Sequence, residues 1–322
     1  MSRVLITGCA GFIGYKVCEV FLKNGYKVVG IDNFDPYYDI SLKEHRLSFL
    51  RNYDNFEFVL MDIRDKNALR NLFKVYDFEG VINLAAKAGV RTSILNPRDY
   101  FEVNVIGTLN ILELMLEFHI NKIILASTSS IYANHKPPFR EDMKCDSMIS
   151  PYAVSKKSAE NLVYTFSYLY GFSSIILRYF TVYGPAGRPD MSIFRFVYWM
   201  MKDENIIVYG DGKQRRSFTY VEDVALGTFL AYHLNSFEII NIGNDEDNEL
   251  LELISKISEI LNKEPKLVFE PFHKADIYET KADIQKARKI LKWEPRIKIE
   301  DGLKKTIDWF IENRDFVLKL KL

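Results

Sequence analysis

The chain is poor in cysteine and has no surplus of either charge, and both shortages narrow what it can be. Its three cysteines, Cys9, Cys18 and Cys145, are widely spaced, form no C-x-x-C pair and have no histidine at metal-ligand spacing. That argues against a disulfide scaffold or a metal site and for free, buried thiols in a reducing compartment. Lysine plus arginine number 43 and aspartate plus glutamate also 43, so no overall field draws the chain to nucleic acid or an anionic membrane. An anionic ligand must then be held by a few placed cations. No apolar run approaches the roughly 18 residues of a spanning helix. Internal repeats, low-complexity stretches and Pro/Gly/Ser linkers are also lacking. The opening, Arg3 followed by apolar residues, has the outline of a secretory leader, but glycines at 8, 11 and 14 argue against one. The expectation is a cytoplasmic protein without a metal, nucleic-acid partner or membrane partner.

What the chain does have is length and apolar mass. Its 322 residues, 48% hydrophobic and 27% charged, suit two domains, or one large α/β unit carrying an appended lobe, with a real core. The first half alternates short β-branched runs with longer amphipathic stretches, the pattern of βα units on a parallel sheet. Strands are expected at 3–7, 27–31, 56–60, 80–84, 122–126 and 174–177. Runs such as VLIT and IILA are apolar without alternation, as when helices cover both faces. Beyond about Thr181 the rhythm changes, with short strands at 206–209 and 217–220 and helices at 224–233, 250–261 and 303–312. The expected fold is α/β: a Rossmann-type doubly wound parallel sheet over 1–180, with a smaller α/β C-terminal substrate lobe over 181–322. The chain is expected to cross between the two around 205–235.

Thr7-Gly8-Cys9-Ala10-Gly11-Phe12-Ile13-Gly14 follows the first strand and opens a helix running to about Asn24. Glycines there permit a tight turn and a close approach to a pyrophosphate, whose charge the helix N–H groups meet. A turn made only for packing would look similar, but the strand-turn-helix setting favours a dinucleotide. The second strand ends at Asp32, where a carboxylate meets adenosine ribose hydroxyls and repels a 2′-phosphate, which favours NAD over NADP. Asp62-Ile63 after the third strand suits the adenine amino group, and a helix N-cap accounts for Asp62 equally well.

Tyr152 and Lys156 stand at i, i+4 on a helix that follows Pro151 and reaches about Tyr170. Lowering a tyrosine from about 10 to about 7 requires roughly 4 kcal/mol of phenolate stabilisation. One cation at ~4 Å supplies about that much at an intermediate dielectric. Lys156, helped by a positive nicotinamide ring, would then make Tyr152 a base, and Thr128 near the end of the fifth strand could relay the proton. An exposed helical pair without a role is the competing account.

Together these residues resemble the extended short-chain dehydrogenase/reductase family of nucleotide-sugar epimerases over nearly the whole chain. The glycine turn, Asn83-Leu84-Ala85-Ala86, the Asn104 region, Tyr152/Lys156 and YGDGKQRRSFTYVEDV at 209–224 are similar to its motifs. GIDNFDPYYDISLKEHRL at 30–47, NLAAKAGVRTSILNP at 83–97 and RYFTVYGPAGRPDM at 178–191 resemble one branch, the UDP-glucuronate 4-epimerases. Two departures stand out: Ala133 where a glycine is common, and no glycine before Asp276 in the 272–276 stretch.

The resemblance implies NAD contacts from Gly8, Gly11, Phe12, Ile13, Gly14, Asp32, Asn33, Asp62 and Ile63, then Leu84, Ala85, Ala86, Lys87, Asn104, Ser127, Tyr152, Lys156, Tyr179 and Thr181. It implies a UDP-sugar held by Val90, Arg91, Thr128, Ser129, Ser130, Tyr152, Thr181, Arg188, Arg195, Val208, Tyr209, Arg216 and Asp276. Each arginine has an alternative as an ordinary ion pair. Related dehydratases carry Asp-Glu after the catalytic threonine and the decarboxylases usually Ser-Glu; Ser129-Ser130 here points to plain epimerisation. Thr128, Tyr152 and Lys156 would invert C4 through a transient 4-keto sugar, while Thr128, Ser129, Ser130, Thr181 and Arg188 grip the glucuronate carboxylate. Helices near 100–118 and 152–170 would pair in a homodimer as a four-helix bundle. The other readings are a UDP-hexose or UDP-N-acetylhexosamine 4-epimerase, a UDP-glucuronate decarboxylase, and a catalytically silent NAD-binding regulator.

Overall fold

The computed structural model describes residues 2–321. The N-terminal half alternates β1 (Arg3–Thr7), α1 (Phe12–Lys23), β2 (Lys27–Asp32), α2 (Ile40–Leu50), β3 (Phe56–Leu60), α3 (Lys66–Val75) and β4 (Gly80–Asn83). Next come α4 (Val90–Leu95), α5 (Pro97–Phe101), a π-helical segment (Glu102–Gly107), α6 (Thr108–Glu117) and β5 (Lys122–Thr128). A 3-10 turn (Ser129–Tyr132), α7 (Pro151–Tyr170), β6 (Ser173–Tyr179) and β7 (Thr181–Tyr183) follow. Then come α8 (Ser192–Lys202), β8 (Ile206–Tyr209), β9 (Arg215–Arg216), β10 (Phe218–Tyr220), α9 (Val221–Tyr232) and β11 (Phe237–Ile242). Downstream lie β12 (Asn248–Glu249), α10 (Leu250–Leu261), β13 (Leu267–Glu270), β14 (Glu279–Thr280), α11 (Gln285–Leu291), α12 (Ile299–Glu312) and α13 (Arg314–Val317).

The main sheet has seven strands in the order β11-β6-β5-β4-β1-β2-β3. Every pair in it is parallel. Alternate residues of β1 enter opposite cores: Val4 and Ile6 pack with α1 and α9, Leu5 with α3 and α6. Burial on both faces is why these strands read as unbroken apolar runs. The strand order reverses between β1 and β4, which opens a crevice at the C-terminal ends of the strands.

The sheet extends beyond the first 180 residues, because β11 pairs with β6 as its seventh strand. The preceding helix, α9, packs against α1. Residues 221–242 thus return to the sheet, while β8 with β13 and β12-β9-β14 form separate small sheets. Both strands run past their apolar stretches because β5 and β6 stay paired through Ser127–Arg178 and Thr128–Tyr179: β5 reaches Thr128 and β6 reaches Tyr179. Among the described residues no helix is long and apolar enough to cross a membrane, and no cluster of His, Cys, Asp and Glu has metal-binding geometry. All three cysteines are free and buried.

Candidate active site

One cavity of about 620 Å³ runs along the crevice from the β1–α1 turn to the C-terminal lobe. At its first end, Gly8 takes φ 69°. A Cβ at Gly14 would stand 2.0 Å from the Gly8 carbonyl oxygen, so the turn closes only around glycine. Gly11 is the N-cap of α1; no side chain caps this helix and no acid occupies its first turn. Uncapped first-turn N–H groups on the cavity wall are the donor set a pyrophosphate needs. By contrast, Asp65 caps α3 and Ser150 caps α7. Phe12, Ile13 and Gly14 also line the cavity.

Asp32 ends β2 and is buried; its Oδ2 accepts the Ala10 N–H at 3.2 Å and its Oδ1 the Phe34 N–H at 2.9 Å. Asp62 accepts the Asn33 amide at 2.8 Å and the Arg64 backbone N–H at 2.8 Å. Burial works to raise its pKa, but Arg64 and Asn33 prevail and hold it at about 2. The helix-cap alternative for Asp62 does not hold, since Asp65 caps α3. Thr7 Oγ1 bridges the Ala85 N–H and Asn83 Oδ1, fixing the β4 turn that carries Leu84, Ala85, Ala86 and Lys87 to the cavity.

Asn104 is the exception among the expected contacts, being absent from the cavity wall. It lies in the π-helical segment, accepts the Lys87 N–H at 2.8 Å, and donates to Lys87 O and to Ser155 Oγ. Both ends of its amide are spent tying the Lys87 loop to α7, so it shapes the site from behind. Ser127 lines the cavity, with its hydroxyl donated to Glu160 at 2.6 Å.

Thr128, Ser129, Ser130, Tyr152 and Lys156 converge at the middle of the cavity. Thr128 caps the 3-10 turn, its Oγ1 accepting the Ser130 N–H at 3.1 Å. Burial raises the Tyr152 pKa, opposed by a hydrogen bond from Thr128 and by Arg188, while Asp190 adds to the rise. Lys156 is not among the groups that lower it. Lys156 itself is buried and is driven down to about 8 by desolvation, partly offset by Glu160. Burial acts against both charged forms.

At the far end, Arg188 is already engaged, donating from Nε to Asp190 at 3.0 Å and from Nη2 at 2.5 Å. Burial would lower its pKa, but Asp190 outweighs this and raises it. Asp190 also accepts the Tyr37 hydroxyl at 3.2 Å. Arg195 differs: its buried Nε has no partner, and it lines the cavity with Gln214, whose buried Oε1 is likewise unpartnered. Arg216, pushed down to about 10 by burial with Asp276 acting the other way, lines the wall nearby. Arg91 lies over the Tyr209 ring at 3.7 Å and donates to Asp276 at 2.5 Å. Val90, Val208, Tyr179 and Thr181 complete the cavity.

Asp190, Tyr37 and Lys43 on this wall were not singled out from the sequence. Each lies inside a segment quoted for its resemblance, Asp190 two residues after Arg188, and that proximity was the available signal.

Comparison with known proteins agrees with this geometry. The family model described as "NAD dependent epimerase/dehydratase family" matches residues 4–243. A UDP-glucuronate 4-epimerase of Thermodesulfobacterium geofontis is 48% identical, with all of both chains covered. The crystal structure of UDP-glucuronic acid 4-epimerase from Bacillus cereus with UDP-glucuronic acid and NAD is similar at TM-score 0.92 and 36% identity, covering 96% of this chain and 99% of that one. The UDP-glucose 4-epimerase of Thermotoga maritima with UDP-glucose is similar at TM-score 0.90 and 31% identity, covering 97% and 99%.

Proposed function

The chain belongs to the NAD dependent epimerase/dehydratase family, and we propose that it inverts C4 of a UDP-sugar, converting UDP-glucuronate to UDP-galacturonate with NAD as resident cofactor. The observation that carries this reading is the single cavity joining the glycine turn, Tyr152 and the arginine-lined far end. The uncapped turn, the forced Gly8–Gly14 contact and the buried Asp32 fit a dinucleotide with free ribose hydroxyls.

Tyr152 takes the proton of the C4 hydroxyl, directly or through Thr128, and returns it to the same oxygen when the inverted alcohol forms. NAD, when bound, supplies the reversible two-electron acceptor for C4 and a positive charge beside the phenol. Arg195 and Arg216 meet the diphosphate, and the unpartnered Arg195 Nε supports this assignment. Thr128, Ser129, Ser130 and Thr181 offer neutral donors to the sugar carboxylate. Arg188, clamped by Asp190, gives that end direction with little net charge. No carboxylate follows Thr128, so the chain lacks an acid there for carbanion or enol chemistry.

The Arg188–Asp190 pair also favours a second reading, since a neutralised arginine tolerates a neutral UDP-hexose. A substrate panel followed by NMR separates the two. The expected outcome is interconversion of UDP-glucuronate and UDP-galacturonate without carbon dioxide. Stoichiometric carbon dioxide with a pentose product overturns it, and preferred turnover of UDP-glucose selects the second reading.

The protein is also read as a homodimer in which the helices at 100–118 and 152–170 pair across subunits. Exposed Phe101, Ile106, Leu116, Tyr164, Tyr168 and Leu169 on these elements support that arrangement. The buried free thiols support a cytoplasmic setting.

A further inference from the structure

The segment 30–47 carries more buried charge than the proposed reaction uses. Lys43, on α2, is withdrawn from water, and its Nζ lies 3.2 Å from Asp32 Oδ1. The two side chains are 9% and 5% exposed, and both line the dinucleotide end of the cavity. Asp32 is the one carboxylate in ion-pair reach of Lys43 among the described residues. The other cation beside it, Arg46, is consumed elsewhere: it donates to Ala10 O, Ala186 O, Gly187 O and the Tyr38 hydroxyl. The Tyr38 ring lies 5.6 Å from Lys43 Nζ and supplies a face but no charge. Asp32 therefore has a second task besides meeting a ligand, which is to neutralise a lysine that has no other counter-charge.

We propose that Asp32 and Lys43 form a masked site for a ribose 2′-phosphate, so that dinucleotide selectivity lies in the pair and not in Asp32 alone. The proposal rests on the NAD reading given above. With the carboxylate present, Lys43 is spent and a third phosphate meets the Asp32 charge. With the carboxylate removed, Lys43 is a desolvated cation on the cavity wall, and a dianion is the ligand that relieves it. An unpaired buried charge is costly enough that such relief shows as a large change in affinity. The arrangement also explains why a lysine is buried at this position at all. A bare carboxylate at the end of β2 would discriminate against 2′-phosphate without it.

The test is calorimetric titration of the purified full chain, freed of nucleotide, with NAD and separately with NADP. Asp32→Asn, whose single amide oxygen keeps an acceptor for one of the Ala10 and Phe34 N–H groups, is expected to tighten NADP binding about a hundredfold over wild type. NAD binding should weaken less than that. Adding Lys43→Met to Asp32→Asn is expected to abolish the gain. Lys43→Met alone, leaving Asp32 uncompensated, is expected to weaken NADP relative to NAD. The proposal is overturned if Asp32→Asn binds NAD but gains nothing for NADP, or if the double variant keeps the gain. Should Asp32→Asn fail to fold by circular dichroism, Lys43→Met alone decides, and an unchanged NADP-to-NAD ratio overturns the pair's role. A folded wild type that binds neither dinucleotide overturns the NAD reading itself and this inference with it.

Discussion

Tyr152 and Lys156 stand one helical turn apart on α7, and the same burial acts on them in opposite senses: the phenol is pushed up and the ammonium down to about 8. Tyr152→Phe is expected to lower kcat by about a thousandfold or more while leaving NAD binding near wild type. A rate within a few-fold of wild type would remove Tyr152 from the role of base. Lys156 also makes a prediction for the ligand-free chain. Its folded pKa of about 8 lies below the ordinary 10.5, so between those values the unfolded state binds more protons and stability rises with pH. The burial cost, about 3 kcal/mol at about 1.4 kcal/mol per unit, is fully present below pH 8 and relieved by about 10.5. Relative to Lys156→Met, wild type should be least favoured near neutral pH, and the gap should close from pH 8 to 10.5 in denaturant melts. A gap independent of pH would mean that Lys156 is not titrating there. The identities of these two residues, and their spacing, are legible in the sequence. Their ionisation is not, because desolvation depends on what α7 is packed against.

At the scale of elements, the β1–α1 turn is the part whose geometry the sequence dictates most directly. Gly14→Ala would drive a Cβ into the Gly8 carbonyl, a backbone atom that cannot step aside cheaply. Overpacking of this kind costs about 1–3 kcal/mol. The variant should lose NAD affinity by at least about tenfold in equilibrium dialysis; retained affinity would show that the turn relaxes. Behind the turn of β5, Ser127, Glu160 and Arg178 form a buried network. Glu160 accepts Arg178 at 2.9 and 2.8 Å and Ser127 at 2.6 Å. Burial favours the neutral acid, but Arg178, Ser127 and Lys157 outweigh it and keep Glu160 ionised. This network spends the Ser127 hydroxyl, just as the Lys87 and Ser155 bonds spend the Asn104 amide. Motif resemblance names such residues as cofactor contacts because it records position along the chain. Which way a polar group turns is settled by partners that are distant in sequence, such as Arg178 for Glu160.

At the scale of the molecule, exposed apolar side chains collect on α5, the π-helical segment, α6 and α7, with Tyr168 78% and Leu169 60% exposed. If these faces pair between subunits, Tyr168→Glu combined with Leu169→Glu should shift the mass in solution from dimer to monomer by light scattering. An unchanged mass would place the subunit contact elsewhere. The sequence by itself determined the parallel α/β class, the glycine turn, the Tyr/Lys pair and the balance of 43 cations against 43 anions, because these follow from local periodicity, fixed spacing and counting. It did not determine that β11 closes the sheet beside β6. Nor did it show that Asp190 clamps Arg188, that Lys43 is bound to Asp32, or that Arg195 Nε is left without a partner. A neutral total is compatible with any pairing of charges. Tertiary packing decided which cations are spent inside the protein and left the Arg195 Nε with a donor to offer, because burial makes each unmatched charge costly.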